Sequence, residues 1–99
     1  MNTKLAINIE SATLRIDFII DNPVILPVEG ASIDFNWVDF IEDKEALTFL
    51  EEYDENSIWL AHITCVRYTK TECTMFVTLF ESADYYRWIK LLEKEKAAN

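Results

Sequence analysis

The sequence predicts an α+β fold, a two-layer sandwich in which an antiparallel sheet of four to five strands carries two helices on one face. Segments 5–9 and 12–20 alternate between apolar and polar residues, and segments 57–69 and 72–81 are rich in β-branched and aromatic residues. Two further segments, starting near 43 and at 82, have the period of a helix. The order is β-β-(β)-α-β-β-α. Since 51% of the residues are apolar and one glycine offers no flexible linker, we expect residues 1–99 to form a single compact domain.

The first two strands are predicted to form an antiparallel hairpin that turns near Glu10 and Ser11. In the second strand one face carries Leu14, Ile16, Phe18 and Ile20. The connection that follows, 21–30, contains two prolines that lack a backbone donor, so we expect a loop or an irregular edge. Because most of its other residues are apolar, we expect this loop to fold back over the core.

In the middle of the chain the spacing of apolar residues changes from the period of a strand to that of a helix. Ile33, Phe35 and Trp37 alternate with polar residues, which predicts a short third strand, and a helix is expected to begin between Asp39 and Asp43. Its apolar face would carry Ala46, Leu47, Phe49, Leu50 and Tyr53, and its polar face Lys44, Glu45, Glu51, Glu52 and Glu55. Acids at the far end of a helix oppose its dipole, which is a first indication that these acids serve a purpose other than stability.

The second hairpin, formed by segments 57–69 and 72–81, has the clearer sequence pattern of the two. A two-residue loop of Thr69 and Lys70 would place Val66 opposite Cys73 and send Cys65 to the other face, so no disulfide is expected. In that register Trp59, Ile63, Phe76 and Phe80 share a face, and if the helices cover only the other face this apolar patch implies a partner or a homodimer. Ser82 is expected to cap a final helix whose buried stripe is Tyr85, Trp88, Ile89 and Leu92.

Composition excludes several classes of function. With 18 acids against 9 bases and a net charge of −9, the chain is not expected to bind nucleic acid or an anionic membrane surface directly. No apolar run is long enough to span a bilayer and no signal peptide is evident, so we expect a cytoplasmic protein with reduced cysteines. A single glycine cannot build a P-loop or a dinucleotide-binding loop.

No cofactor, metal site or enzymatic activity is expected. His62, Cys65 and Cys73 are residue types that bind zinc, but a regular strand sends positions 62 and 65 to opposite faces and a fourth ligand is not evident. The same geometry separates His62, as a general base, from Cys65 as a nucleophile. No motif combines nucleophile, base and oxyanion donors. We therefore expect His62 to be a half-buried structural residue beside Val77.

The charge excess is concentrated in one segment. Residues 29–55 carry ten of the acids and one base, Lys44, so the rest of the chain is formally neutral. Such a segment is either a solvated face that keeps a small protein soluble or a surface that docks on a basic partner protein. The docking hypothesis predicts contacts through the acids and one aromatic anchor, Trp37 or Tyr53; the full set is Trp37, Asp39, Glu42, Asp43, Glu45, Glu51, Glu52, Tyr53, Asp54 and Glu55.

In size and charge, though in no motif, the chain resembles small acidic inhibitors: phage inhibitors of host defence, DNA mimics and immunity proteins for nuclease toxins. The resemblance implies a non-enzymatic inhibitor of a nuclease or another nucleic-acid-binding machine. Two other hypotheses remain open. One is a small structural or assembly subunit that oligomerises through an apolar sheet face or edge, and the other is a ligand-binding or enzymatic domain with a pocket between helices and sheet.

Overall fold

The computed structural model describes residues 2–10, 15–54 and 58–98. It confirms the α+β class, and within these residues it has five strands and two helices. The strands are β1 (Asn2–Glu10), β2 (Arg15–Asp21), β3 (Ser32–Ile33), β4 (Trp59–Tyr68) and β5 (Glu72–Glu81). The helices are α1 (Lys44–Asp54) and α2 (Ser82–Ala98), and a short 3-10 turn covers Trp37–Asp39. Neither α1 nor α2 combines the length and the apolar character that a membrane-spanning helix needs.

The sheet is mixed, so the prediction of an antiparallel sheet is wrong at one pair of strands. The strand order is β2-β1-β5-β4-β3, with β1 antiparallel to β2 and parallel to β5. The chain leaves β2 at one edge and crosses to β3 at the other, so the β4–β5 hairpin enters between β3 and β1. This arrangement buries β1, whose Leu5, Ile7 and Ile9 are all inaccessible on one face.

The two helices lie on opposite faces of the sheet, so the prediction that both cover one face is also wrong. Ala46 and Leu50 of α1 belong to the main core, together with Ile7, Val77 and Leu79 of the sheet. His62 and Phe80 alternate with those core residues and therefore face the other way. There the Trp88 ring of α2 lies 4.3 Å from the His62 ring and 5.4 Å from the Phe80 ring, measured between centroids. We call the two faces the α1 side and the α2 side.

The predicted register of the second hairpin is wrong. Val66 pairs with Met75, and Tyr68 pairs with Cys73, because the turn is longer than two residues; a separate irregularity lies between Ile63 and Cys65. The Thr69 hydroxyl sets the turn: it accepts a hydrogen bond from the Glu72 N–H at 3.0 Å. The irregularity between Ile63 and Cys65, rather than the turn, places Trp59 and Ile63 in the core instead of on the face of Phe76 and Phe80. The expected separation of the cysteines is confirmed, since Cys65 and Cys73 are free and face opposite ways.

The first hairpin extends further than predicted. Glu10 still pairs with Arg15, so Glu10 belongs to the strand and not to the turn as predicted; residues 11–14, which include Ser11 and Leu14, lie outside the described residues. The predicted inward face of β2 is confirmed for its described members. Ile16 is buried and Phe18 and Ile20 are partly buried, whereas Arg15, Asp17 and Ile19 are exposed.

Residues 22–30, which we call the strap, cross the α1 side of the sheet between the two edges. Both ends are tied down: the Asn22 N–H donates to the Thr3 carbonyl at 2.7 Å, and the Gly30 N–H donates to the Ala61 carbonyl at 2.8 Å. Between the ends the strap lies over the core face, as expected, but arches above it and does not pack its apolar side chains onto the core. Val24 is 99% exposed and Ile25 80% exposed. Pro23 and Pro27 restrict the backbone and remove donors, which favours an extended arch over a packed segment.

Candidate interaction surface

Six of the acidic side chains predicted to bind a partner are exposed on α1 or in the segment just before it. Asp43 caps the helix, since its carboxylate lies 3.4 Å from the Glu45 N–H, and α1 begins one residue after the predicted interval. The described acids at 39–52 are all exposed: Asp39, Glu42, Asp43, Glu45, Glu51 and Glu52. We call these six residues the acidic surface. Tyr53 and Asp54 end α1, but their side chains lie outside the described residues, as does Glu55.

Among the described residues, no salt bridge joins a basic side chain to the acidic surface. Lys4 pairs with Glu72 at 3.0 Å, Arg15 with Asp17 at 3.3 Å and Arg87 with Asp84 at 3.9 Å. Lys44 lies within the surface at the start of α1, and Arg15 lines a small pocket with Glu42 and Asp43. The last turn of α1 contains no basic residue. Negative charge at that end opposes the helix dipole, typically by about 0.3–1 kcal/mol per group. The surface is therefore strongly negative, and its two acids near the C-terminal end of α1, Glu51 and Glu52, are slightly unfavourable for the helix.

Trp37 is not part of this surface, and its prediction as a partner anchor is wrong. It is 5% exposed and lies in the core, with its ring centroid 5.1 Å from that of Phe35 and 6.3 Å from that of Phe18. The predicted strand ends at Ile33, and the 3-10 turn that starts at Trp37 directs this side chain inward. The neighbouring Val38 and Phe40 are the exposed apolar residues of the turn.

An apolar groove lies between the strap and the sheet, on the same side as the acidic surface. Its volume is about 690 Å³, within the range of ligand and side-chain pockets. Leu5, Ile20, Ile33 and Phe35 form its floor and wall, and the strap forms its roof. Sequence reasoning missed it, because the apolar composition of the strap predicts burial whereas the arch leaves space beneath.

A second polar cluster, built around Glu29, joins the strap to the rest of the protein. One oxygen of the Glu29 carboxylate accepts from the Ile63 N–H at 2.9 Å, and the other accepts from the Tyr85 hydroxyl at 2.9 Å. The His62 Nδ1 lies 3.1 Å from both oxygens. Glu29 thereby links the strap, β4 and α2. His62 lies opposite Thr78 on β5 rather than beside Val77 as predicted.

The cluster shifts the pKa values of two of its members. Partial burial opposes the charge of Glu29, but the hydrogen bonds from Ile63, His62 and Tyr85 outweigh it and hold the Glu29 pKa below its ordinary value. Burial and the neighbouring Glu29 carboxylate raise the pKa of Tyr85. Glu29 is therefore an ionised acceptor and Tyr85 a neutral donor at physiological pH, which is the arrangement of a structural tie.

The prediction that His62 and Cys65 lie on opposite faces of the sheet is wrong, because the β-bulge between Ile63 and Cys65 interrupts the alternation of side chains. Cys65 pairs with Phe76 and His62 with Thr78, so both side chains face the α2 side. No hydrogen bond joins them within the described residues, where His62 instead contacts Glu29 and Trp88. The same residues contain no group of three or more His, Cys, Asp or Glu side chains arranged to hold a metal ion.

Gly30 gives a direct test of how tightly the strap is joined to α2. Its φ is +80°, and a methyl group at Gly30 would lie 3.1 Å from the Tyr85 hydroxyl oxygen. We expect Gly30→Ala to lower the free energy of unfolding by about 1–2 kcal/mol, since an L-residue is disfavoured in this conformation. Urea denaturation measures the change. Ala31→Gly is the control next to it, and an effect of Gly30→Ala no greater than that of the control would contradict the positive φ of Gly30 and its close approach to Tyr85.

No known protein family, curated protein or solved structure matches this chain.

Proposed function

We propose that this protein is a non-enzymatic binding protein whose acidic surface docks on a basic surface of a partner protein. The observation that carries the proposal is the set of six exposed acids at 39–52, which form no salt bridge among the described residues and have one base, Lys44, in their stretch of sequence. Acids that merely solubilise a protein do not need to crowd the end of a helix where the dipole disfavours them. A basic partner would relieve both the dipole conflict and the mutual repulsion.

The strap supplies the apolar contact area that a purely electrostatic interface lacks. Protein interfaces combine an apolar centre with a polar or charged rim, and Val24, Ile25 and Val28 are exposed on the side that carries the acids. An aliphatic or aromatic side chain of the partner would enter the groove beneath the strap, while lysines and arginines around it face the acidic surface. The acids would speed the encounter, and the apolar contact would slow dissociation.

A nuclease or another nucleic-acid-binding machine is the class of partner that best fits this chemistry. Closely spaced carboxylates approximate the charge of a phosphate backbone, so the surface would compete with nucleic acid for a basic cleft. An inhibitor of this kind needs no cofactor. A cytoplasmic location belongs to the same proposal, because both cysteines are free.

Neutralising three acids of α1 tests the proposal. We expect Glu45→Gln/Glu51→Gln/Glu52→Gln to weaken binding to a basic partner captured with the wild type by about tenfold, mainly through a slower association rate. Binding of the wild type should also weaken as salt rises, since exposed charges are screened. Thermal stability should stay level or rise, because repulsion at the helix end is relieved. Surface plasmon resonance at several salt concentrations measures the rates.

The chain offers a matched control on its other helix. Asp84→Asn/Glu93→Gln/Glu95→Gln also removes three exposed acids and leaves the same net charge of −6. It should bind the partner nearly as well as the wild type. If the two triple variants bind equally, overall charge rather than the acidic surface governs association, and the acids of α1 are only a solvated face.

A further inference from the structure

The two edges of the sheet differ in how they are protected against another strand. At the β4 edge, β3 pairs with Trp59 and Leu60, Ala61 exchanges hydrogen bonds with the Gly30 and Ala31 backbone, and Glu29 accepts the Ile63 N–H. A bulge follows and interrupts the regular ladder. Such coverings and bulges are the devices by which soluble proteins block edge-to-edge pairing.

The β2 edge differs: within the described residues no strand or bulge lies along its outer side, although residues 40–43 line a small pocket with Arg15, Ile16 and Asp17 at one end of it. Its seven residues, RIDFIID, include no proline, glycine or lysine, and its pairing with β1 is regular from Glu10–Arg15 to Lys4–Asp21. Within the described residues, no backbone hydrogen bond is formed on the outer side of β2. An unblocked regular strand at an edge is a template for another strand.

We propose that the β2 edge pairs antiparallel with β2 of a second copy of this chain, about a twofold axis at Phe18. The charges along β2 select this occupant and this direction. With Phe18 opposite Phe18 of the partner subunit, Arg15 faces Asp21 of the partner subunit, and the same ion pair recurs at the other end. A parallel arrangement would instead set arginine against arginine and aspartate against aspartate.

The remaining side chains fit the same register. Ile16 falls opposite Ile20 of the partner subunit on the α1 side, which extends the core face across the junction. Asp17 falls opposite Ile19 of the partner subunit on the other face. Both side chains of the ion pair between Arg15 and Asp17 within one chain are exposed. Breaking it so that Arg15 can pair with the partner subunit therefore costs little free energy. The result is a continuous ten-stranded sheet formed by two copies.

Charge reversal tests this register through oligomeric state alone, without any other protein. We expect sedimentation equilibrium of the wild type to approach twice the monomer mass of 11.6 kDa as concentration rises. Arg15→Asp and Asp21→Arg should each shift the population to monomer, and the double swap Arg15→Asp/Asp21→Arg should restore the dimer. The two residues are six positions apart, roughly 20 Å along the strand, so only contact between chains explains restoration.

Cysteine pairing provides a second measurement if the reversed charges disturb folding. In a Cys65→Ser/Cys73→Ser background, a mixture of Asp17→Cys and Ile19→Cys chains should form a disulfide-linked dimer more readily than either chain alone. Directly opposite residues in an antiparallel pair have the Cα separation that a disulfide needs. Asp17 and Ile19 are exposed, so both variants should fold.

A wild type that stays at 11.6 kDa at every concentration would overturn the inference. So would folded single variants that dimerise like the wild type, or a folded double swap that remains monomeric. None of these outcomes bears on the acidic surface, whose test measures binding to a different protein. The two proposals can therefore fail separately.

Discussion

Replacing Trp37 by alanine is expected to lower the free energy of unfolding by about 3–5 kcal/mol, the usual cost of removing a buried tryptophan. The side chain is 5% exposed and contacts the rings of Phe18 and Phe35, so its removal leaves a cavity at the centre of the aromatic cluster. For a domain of 99 residues, this is a large part of the total stability. Chemical denaturation followed by circular dichroism measures the loss.

The adjacent Val38 offers a control for the same turn. It is 61% exposed, and Val38→Ala should change stability by less than about 0.5 kcal/mol. Trp37→Phe should recover much of the loss, because an aromatic ring still fills part of the space. If Trp37→Ala weakened binding to a partner but left stability unchanged, Trp37 would be a surface anchor and its place in the core would be contradicted.

Replacing Glu29 by alanine is expected to cost about 2–3 kcal/mol near neutral pH. The change leaves the Ile63 N–H, the Tyr85 hydroxyl and His62 without their shared acceptor, and hydrogen bonds to a charged group are among the stronger ones. The expected cost is below the sum of three such bonds, because the Glu29 side chain is 45% exposed and water can replace part of the contact. Asp34→Ala, at another exposed carboxylate, should be nearly neutral.

The contribution of Glu29 should also depend on pH with a definite sign. Its pKa in the folded protein lies below the ordinary value of 4.5, so the ionised form is preferentially stabilised by folding. The stability difference between the wild type and Glu29→Gln should be fully present above pH 4.5 and shrink as pH falls through the lowered folded pKa. Urea denaturation across this range measures it. A difference that grows on acidification would contradict the hydrogen-bonded carboxylate.

Features that depend on neighbouring residues were predictable from the sequence. The faces of α1 are confirmed by buried Ala46 and Leu50 and exposed Glu45 and Glu51, because a helix period relates side chains three and four positions apart. The alternation in β2 is confirmed for the same kind of reason. Local periodicity thus gave the α+β class and most of the acidic surface.

Features that depend on distant contacts were not predictable. The parallel pairing of β1 with β5 and the opposite placement of the helices arise from the crossing of the strap, and no local period records them. The hairpin register follows from a turn longer than two residues, closed by hydrogen bonds between Thr69 and Glu72, and from a bulge near Thr64 that offsets the pairs on its two sides. Glu29 meets His62 and Tyr85 across 33 and 56 positions of sequence, so nothing in its neighbourhood identifies it.

The central position of β1 has a consequence for the order of events in folding. Its parallel partner lies seventy positions later, from Asn2 opposite Glu72 to Ile9 opposite Leu79. Closing so long a loop costs chain entropy before the new contacts can offset it, which is typical of slow folding. During synthesis on the ribosome, one side of β1 therefore stays unpaired until β5 has been synthesised. The nascent chain is most prone to misassembly during this interval.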